Sequence, residues 1–142
     1  MKKADPYLNF NGNTEQAFNF YKSVFGGEFT ALQRFSDFKE GPEVPADAKN
    51  MIMHIALPLG GNNVLMGTDA PESMGFSITN GNNNHIIIEA ESESEAEKLF
   101  ERLSEGGKVT MELQKTFWRS FYGSCTDKLG IRWMINYSYP VI

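Results

Sequence analysis

The 142-residue chain predicts an α+β fold of two βαβββ modules, whose strands form one curved eight-stranded sheet, a cup with a helix outside each half. Three observations predict it. A short strand, a helix with an apolar stripe and a Gly-Gly stop occur near the N-terminus and again from His85 onward. The stripe Ala17, Tyr21 and Val24 recurs as Ala96, Phe100 and Leu103, each 79 positions later, which is a repeat in register and not only in composition. Behind each helix the chain alternates apolar and polar residues at the period of a strand.

In chain order, Tyr7-Leu8-Asn9-Phe10 reads as a strand and Asn11-Gly12-Asn13 as a turn. Asn13 with Gln16 fits a capping box at the start of the first helix. Gly26-Gly27 ends that helix, since glycine takes the left-handed conformation at little cost. Glu28 to Phe35 reads as a second strand. Residues 36–50 carry Gly41, Pro42, Pro45 and several charges, the composition of a long loop bordering a cleft. Met51 to Leu59 is a strand with Met51, Met53, Ile55, Leu57 and Leu59 on one face and Ile52, His54 and Ala56 on the other. The turn Gly60-Gly61-Asn62-Asn63 returns the chain as the strand Val64 to Thr68.

Residues 71–81, with Pro71, Gly75 and Gly81, read as a linker between modules spanning 1–70 and 82–142 of a single domain. The second module opens with the strand His85 to Ala90. Ser92 and Glu95 form the next capping box, and Gly106-Gly107 is the next stop. Lys108 to Leu113 and Arg119 to Thr126 follow as strands, and Asp127-Lys128-Leu129-Gly130 is a tight reversal. In the last strand Ile131, Trp133, Ile135 and Tyr137 share one face, while Arg132, Met134 and Asn136 share the other. Two such modules each leave one sheet face without a helix, and polar groups belong there only where a ligand enters.

Composition removes several function classes. The net charge is −5 with no basic cluster, so nucleic acid is not an expected partner. No stretch approaches the roughly 18 apolar residues of a membrane span, so no membrane partner is expected. Met1-Lys2-Lys3-Ala4-Asp5-Pro6 has no apolar stretch after its lysines, and the single cysteine, Cys125, can form no disulfide within the chain. A cytoplasmic, reducing location is the expectation. Gly60-Gly61 and Gly106-Gly107 lack the spacing of phosphate loops, and no serine stands in a nucleophile elbow.

Two histidines, His85 and His54, are the candidate catalytic residues. An imidazole at His85 can orient a ligand or transfer a proton near neutrality, or it can simply pair with a backbone carbonyl. His54 lies opposite the apolar row of its strand, where it either looks into the cup or ties two strands together. Met66 and Met134 suit varied apolar ligands, and equally suit the filling of an irregular core. Phe117, Trp118, Phe121 and Tyr122 cluster beside Arg119. Trp118 and Tyr122 can stack a planar ligand while Arg119 pairs an anion, and the same group suits a dimer contact. Glu89 shares the strand face of His85, whereas Glu91, Glu93, Glu95 and Glu97 favour the positive end of the second helix and face water.

At this point the chain resembles the vicinal oxygen chelate superfamily, also called the glyoxalase, bleomycin-resistance and extradiol-dioxygenase superfamily, and within it the PhnB-like branch. The resemblance rests on Tyr7-Leu8-Asn9-Phe10-Asn11-Gly12-Asn13, Ala17, Phe20-Tyr21-Lys22, Phe25-Gly26-Gly27, Met53-His54, Gly106-Gly107-Lys108-Val109, Phe117-Trp118 with Tyr122-Gly123, and Asp127-Lys128-Leu129-Gly130 with Trp133-Met134. These stretches run over nearly the whole chain. Metal enzymes of the superfamily hold a divalent ion with side chains from four strands, and the resemblance carries those places to Pro6, Met66, His85 and Met134. Only His85 is a ligand type for such an ion; thioethers and a proline do not replace imidazole and carboxylate. The resemblance also implies a homodimer.

Two function classes follow. One is a small-molecule binding protein, of a resistance or sequestration type, that takes an apolar or aromatic ligand and needs no cofactor. The other is a lyase or isomerase using His85 and His54 without the usual metal set, or with an atypical one.

Overall fold

The computed structural model describes residues 1–141. Its main elements are β1 (Tyr7–Phe10), α1 (Thr14–Phe25), β2 (Ala31–Arg34), β3 (Ile52–Gly60) and β4 (Asn63–Asp69), then β5 (Ile86–Glu89), α2 (Glu93–Ser104), β6 (Lys108–Lys115), β7 (Ser120–Thr126) and β8 (Arg132–Ser138). The chain divides into two compact units, residues 1–79 and the residues from Asn80 on, each holding one βαβββ series.

The strands sort into two four-stranded sheets, in the orders β1-β4-β3-β2 and β5-β8-β7-β6. This corrects the single curved eight-stranded sheet, the cup, expected from the sequence. Among the described residues neither sheet closes on itself, and no strand pairing links the two. The physical reason is that alternation sets the face a side chain takes, whereas the continuity of a sheet depends on which edges find partners. Period-two patterning does not encode the second. In each sheet the first strand runs parallel to the module's last strand, and the remaining pairs are antiparallel.

In the first unit α1 buries Ala17, Phe18, Tyr21 and Val24 over β3 and β4. The approach is close because position 67 has no side chain. A methyl there would lie 2.6 Å from Cε1 of Phe18 and 3.1 Å from the Leu8 carbonyl oxygen. The second unit repeats the device on a different strand: Phe100 of α2 lies over Gly123 of β7, where a methyl would meet the ring at 3.0 Å. Ala96, Phe100 and Leu103 are the buried stripe of α2.

The helix starts differ from the sequence expectation in one case. Asn13 makes no side-chain cap. Instead Asp69, buried at the end of β4, accepts from Thr14 N–H at 3.1 Å and from the Thr14 hydroxyl at 2.6 Å with one oxygen. Its other oxygen accepts from Ile52 N–H at 2.8 Å. A carboxylate at a helix N-terminus meets unpaired N–H groups and the positive end of the helix dipole together. In the second unit Ser92 does cap, accepting from Glu95 N–H at 3.0 Å, and the Glu95 carboxylate reaches back to Glu91 N–H at 3.1 Å.

Candidate functional site

Each sheet has one face under its helix and one face free of it. In β4 the buried Leu65, Gly67 and Asp69 alternate with the half-buried Val64, Met66 and Thr68, so Met66 stands on the helix-free face of the first sheet. Register sets Tyr7 of β1 and Ala56 of β3 on either side of it. His54, two residues before Ala56, takes the same face beside Gln33 of β2. Tyr7 reaches across β4, its hydroxyl 2.9 Å from His54 Nδ1 and its ring stacked on the imidazole at 5.7 Å between centroids. Burial raises the Tyr7 phenol above its ordinary pKa, so the hydroxyl keeps its proton. The contact engages Nδ1 and leaves Nε2 as the ring nitrogen with no protein partner among the described residues.

In the second unit the alternation of β8 puts Trp133 and Ile135 in the core and Arg132 and Met134 on the helix-free face. Met134 pairs with Ile87, which is 54% exposed, and Asn136 pairs with Glu89. The Asn136 amide donates to both Glu89 oxygens at 3.1 and 2.9 Å, and to Ser138 Oγ at 3.2 Å. Tyr122 of β7 pairs with Asn136 and shares this face. His85, half-buried, immediately precedes β5 and takes the side of Ile87 by period two. Burial lowers its pKa, and the nearby positive charge of Arg132 lowers it further. Arg132 itself has a buried Nε with no hydrogen-bond partner.

Trp118 and Arg119 stand at the tip between β6 and β7, and the Trp118 ring lies 6.3 Å from that of Tyr122. Phe117 is 95% exposed and Trp118 54%, with their rings edge to face at 4.8 Å. Arg119 has a φ of 65°, the one non-glycine residue in the left-handed region among the described residues. Its guanidinium donates to the Pro140 carbonyl at 3.3 Å, and its own carbonyl accepts from Tyr139 N–H at 3.0 Å. The loop expected to border a cleft encloses a recess of about 380 Å³ lined by Phe35, Phe38, Val44 and Lys49 among others, and no candidate residue lines it.

Thus Met66 and His54 share one helix-free face, and His85, Met134 and Tyr122 share another. Tyr7 and Arg132 were missed as site residues. Strand alternation does place Arg132 two positions from Met134 on one face, whereas Tyr7 carries no such signal, because its contact with His54 spans 47 positions. The carry-over of metal positions is also uneven. The burial order of Tyr7 to Phe10 recurs at Ile87 to Ala90, 80 positions on, although the helices repeat at 79. A strand-based transfer pairs Pro6 with Ile86, not with His85.

No group of three or more His, Cys, Asp or Glu residues gathers as a metal site among the described residues. One imidazole and two thioethers at the transferred positions do not fit a hard or borderline divalent ion. No helix among the described residues is long and apolar enough to cross a membrane.

Duplicated βαβββ units, each with its helix on one sheet face, define the paired-module architecture of vicinal oxygen chelate proteins. The chain belongs to the Glyoxalase/Bleomycin resistance protein/Dioxygenase superfamily, whose profile matches residues 3–135. It is similar to protein PA1353 from Pseudomonas aeruginosa, with 38% identity, a TM-score of 0.85, and coverage of 97% of this chain and 98% of that one. A Bacillus cereus structure described as a putative 3-demethylubiquinone-9 3-methyltransferase, PhnB protein, shares 25% identity at a TM-score of 0.76, covering 96% of this chain and all of that one (100%). Protein YjdN of Escherichia coli K12 is 27% identical over 143 residues, 92% of each chain.

Proposed function

We propose that this chain is a small-molecule binding protein that takes an apolar or aromatic ligand against its helix-free sheet faces. Met134, Ile87 and Tyr122 are the contacts in the second module, and Met66 with Tyr7 in the first. The observation that carries the reading is Ile87, an isoleucine 54% exposed beside the half-buried Met134 on a face that α2 leaves uncovered. Apolar side chains grouped in this way are retained for a partner more readily than for solvent. Membership of the PhnB-like branch is part of the same reading, supported by the 25% identity to the Bacillus cereus protein. Phe117 and Trp118 we assign to a homodimer contact, because aromatic and arginine side chains enrich such cores and these two are exposed at one tip.

The test is a thermal-shift and calorimetric titration with indole and 1-naphthol on the wild type and Met134→Glu. Wild-type protein should be stabilised by at least one of them, and Met134→Glu, still folded by circular dichroism, should not. Equal stabilisation of both proteins would remove Met134 from the site.

The Tyr7–His54 contact favours a second reading, a lyase or isomerase in which His54 Nε2 and His85 handle protons. A folded His54→Ala or His85→Ala variant would then lose turnover, whereas a binding protein would keep most of its affinity for apolar ligands.

A further inference from the structure

The β5–β8 ladder grades the helix-free face of the second sheet. Continued one step back from Ile86 and Trp133, it aligns His85 with Arg132; Ile87 with Met134 comes next, and Glu89 with Asn136 after that. The Glu89 end is satisfied by its two bonds from the Asn136 amide. The Arg132 end is not. Its side chain is half-buried, its Nε is buried without an acceptor, and it takes part in none of the ion pairs among the described residues.

A buried N–H without an acceptor is a net loss to the fold, and an unpaired cation drawn partly out of water is a larger one. The two terminal nitrogens of Arg132, unlike its Nε, are not enclosed, and they can meet an acceptor from outside the chain. The carboxylates nearest in the ladder do not supply one, since Glu89 lies two rows away and is already paired. Arg119, the cation expected from the sequence to meet an anion, is exposed at the β6–β7 tip and gives one N–H to the Pro140 carbonyl at 3.3 Å.

We propose that Arg132 anchors the oxyanion of an amphipathic ligand, with His85 beside it as a hydrogen-bonding neighbour and Ile87 and Met134 under the ligand's apolar part. This deepens the small-molecule reading above and rests on it, narrowing the ligand to an aromatic or aliphatic anion. The lowered pKa of His85 supports the geometry, because a neutral imidazole offers an N–H without adding a second charge.

Calorimetric titration of the full chain with benzoate, phenyl phosphate and neutral benzyl alcohol tests the anchor. At least one anion should bind more tightly than benzyl alcohol, and the preferred one tells a carboxylate from a phosphate ligand. Arg132→Met should weaken that anion by about tenfold or more while leaving benzyl alcohol unchanged, the loss expected for a charge-assisted bond. The ring protons of His85, one of only two histidines, should shift with the anion and not with the alcohol. Should Arg132→Met fail to fold, Arg132→Lys carries the test. It keeps the charge but loses the fork, and should weaken the anion by about threefold or more. Anion affinity unchanged in either variant overturns the anchor. Wild-type protein that takes benzyl alcohol but neither anion also overturns it, and leaves the apolar-ligand reading standing; failure of all three removes both.

Discussion

The indole Nε1 of Trp133 donates to Asp127 Oδ2 at 2.8 Å, and both residues are buried. The other carboxylate oxygen accepts from Leu129 N–H at 2.8 Å and Ile131 N–H at 3.1 Å, so one side chain closes the β7–β8 reversal and fixes the largest core residue of the second unit. Replacing the carboxylate strands three donors. Asp127→Ala should lose roughly 3 kcal/mol of unfolding free energy in urea titration, and Trp133→Phe, which keeps most of the volume, about 1 kcal/mol. The double variant should lose less than the two separately, since both remove the same bond. Full additivity would deny the coupling.

Gly67 and Phe18 make a second test of packing. A methyl at 67 meets the ring at 2.6 Å and the Leu8 carbonyl at 3.1 Å, so Gly67→Ala must move α1 or the strand beneath it. A loss of about 2 kcal/mol is expected, with part of it recovered when Phe18→Leu withdraws the ring. If the single variant is as stable as the wild type, the helix does not sit this closely.

What the sequence makes legible follows from the range of each interaction. The stripes Ala17, Tyr21, Val24 and Ala96, Phe100, Leu103 are local in sequence, and all six are buried. The Asp127 turn is equally local. The α1 cap departs from the Asn13 box that local sequence suggests, because its acceptor, Asp69, lies 55 positions from Thr14. The Tyr7 contact to His54 spans 47 positions and depends on β1 pairing with β4. The separation into two sheets depends on strand edges, about which alternation is silent. For the candidate site, composition drew attention to His85 and Met134. It did not mark Arg132, whose interest lies in a donor left without a partner, a property of the fold and not of the residue type.

Cys125 should be chemically silent in the folded chain. It is fully buried, and burial, followed by the negative charge of Asp127, pushes its thiol up to about 11. Thiolate is the reactive form, so a disulfide reagent at pH 8 should leave the native protein unmodified over hours and titrate one thiol promptly in denaturant. Rapid modification without denaturant would show that the β7 core opens on its own.

The Phe117–Trp118 tip should govern association if it is the homodimer contact. Sedimentation of wild-type protein should then give a dimer, and Phe117→Ser with Trp118→Ser should raise the dissociation constant by about thirtyfold or more, the range of an aromatic hot spot. Phe117 is almost wholly exposed and Trp118 half so, with its ring beside that of Tyr122, so only a small loss of stability should accompany the change. A wild-type monomer at millimolar concentration would return the tip to solvent.

His85 gives the pH dependence its sign. Its folded-state pKa lies below the ordinary 6.5, first through burial and second through the charge of Arg132. The unfolded chain therefore takes up a proton before the folded one does, and the contribution of this residue to stability is complete above the unfolded value and declines as pH falls through the folded one. His85→Gln should flatten that part of the stability profile. With only two histidines in the chain, a proton NMR titration resolves each directly. Arg132→Met should move the His85 midpoint upward but not fully to the ordinary value, because burial, the larger cause, remains. A bound oxyanion should raise the wild-type midpoint, since a negative charge beside the ring favours the imidazolium. A His85 midpoint at or above the ordinary value in the free wild type would contradict the half-buried place beside Arg132 on which these expectations stand.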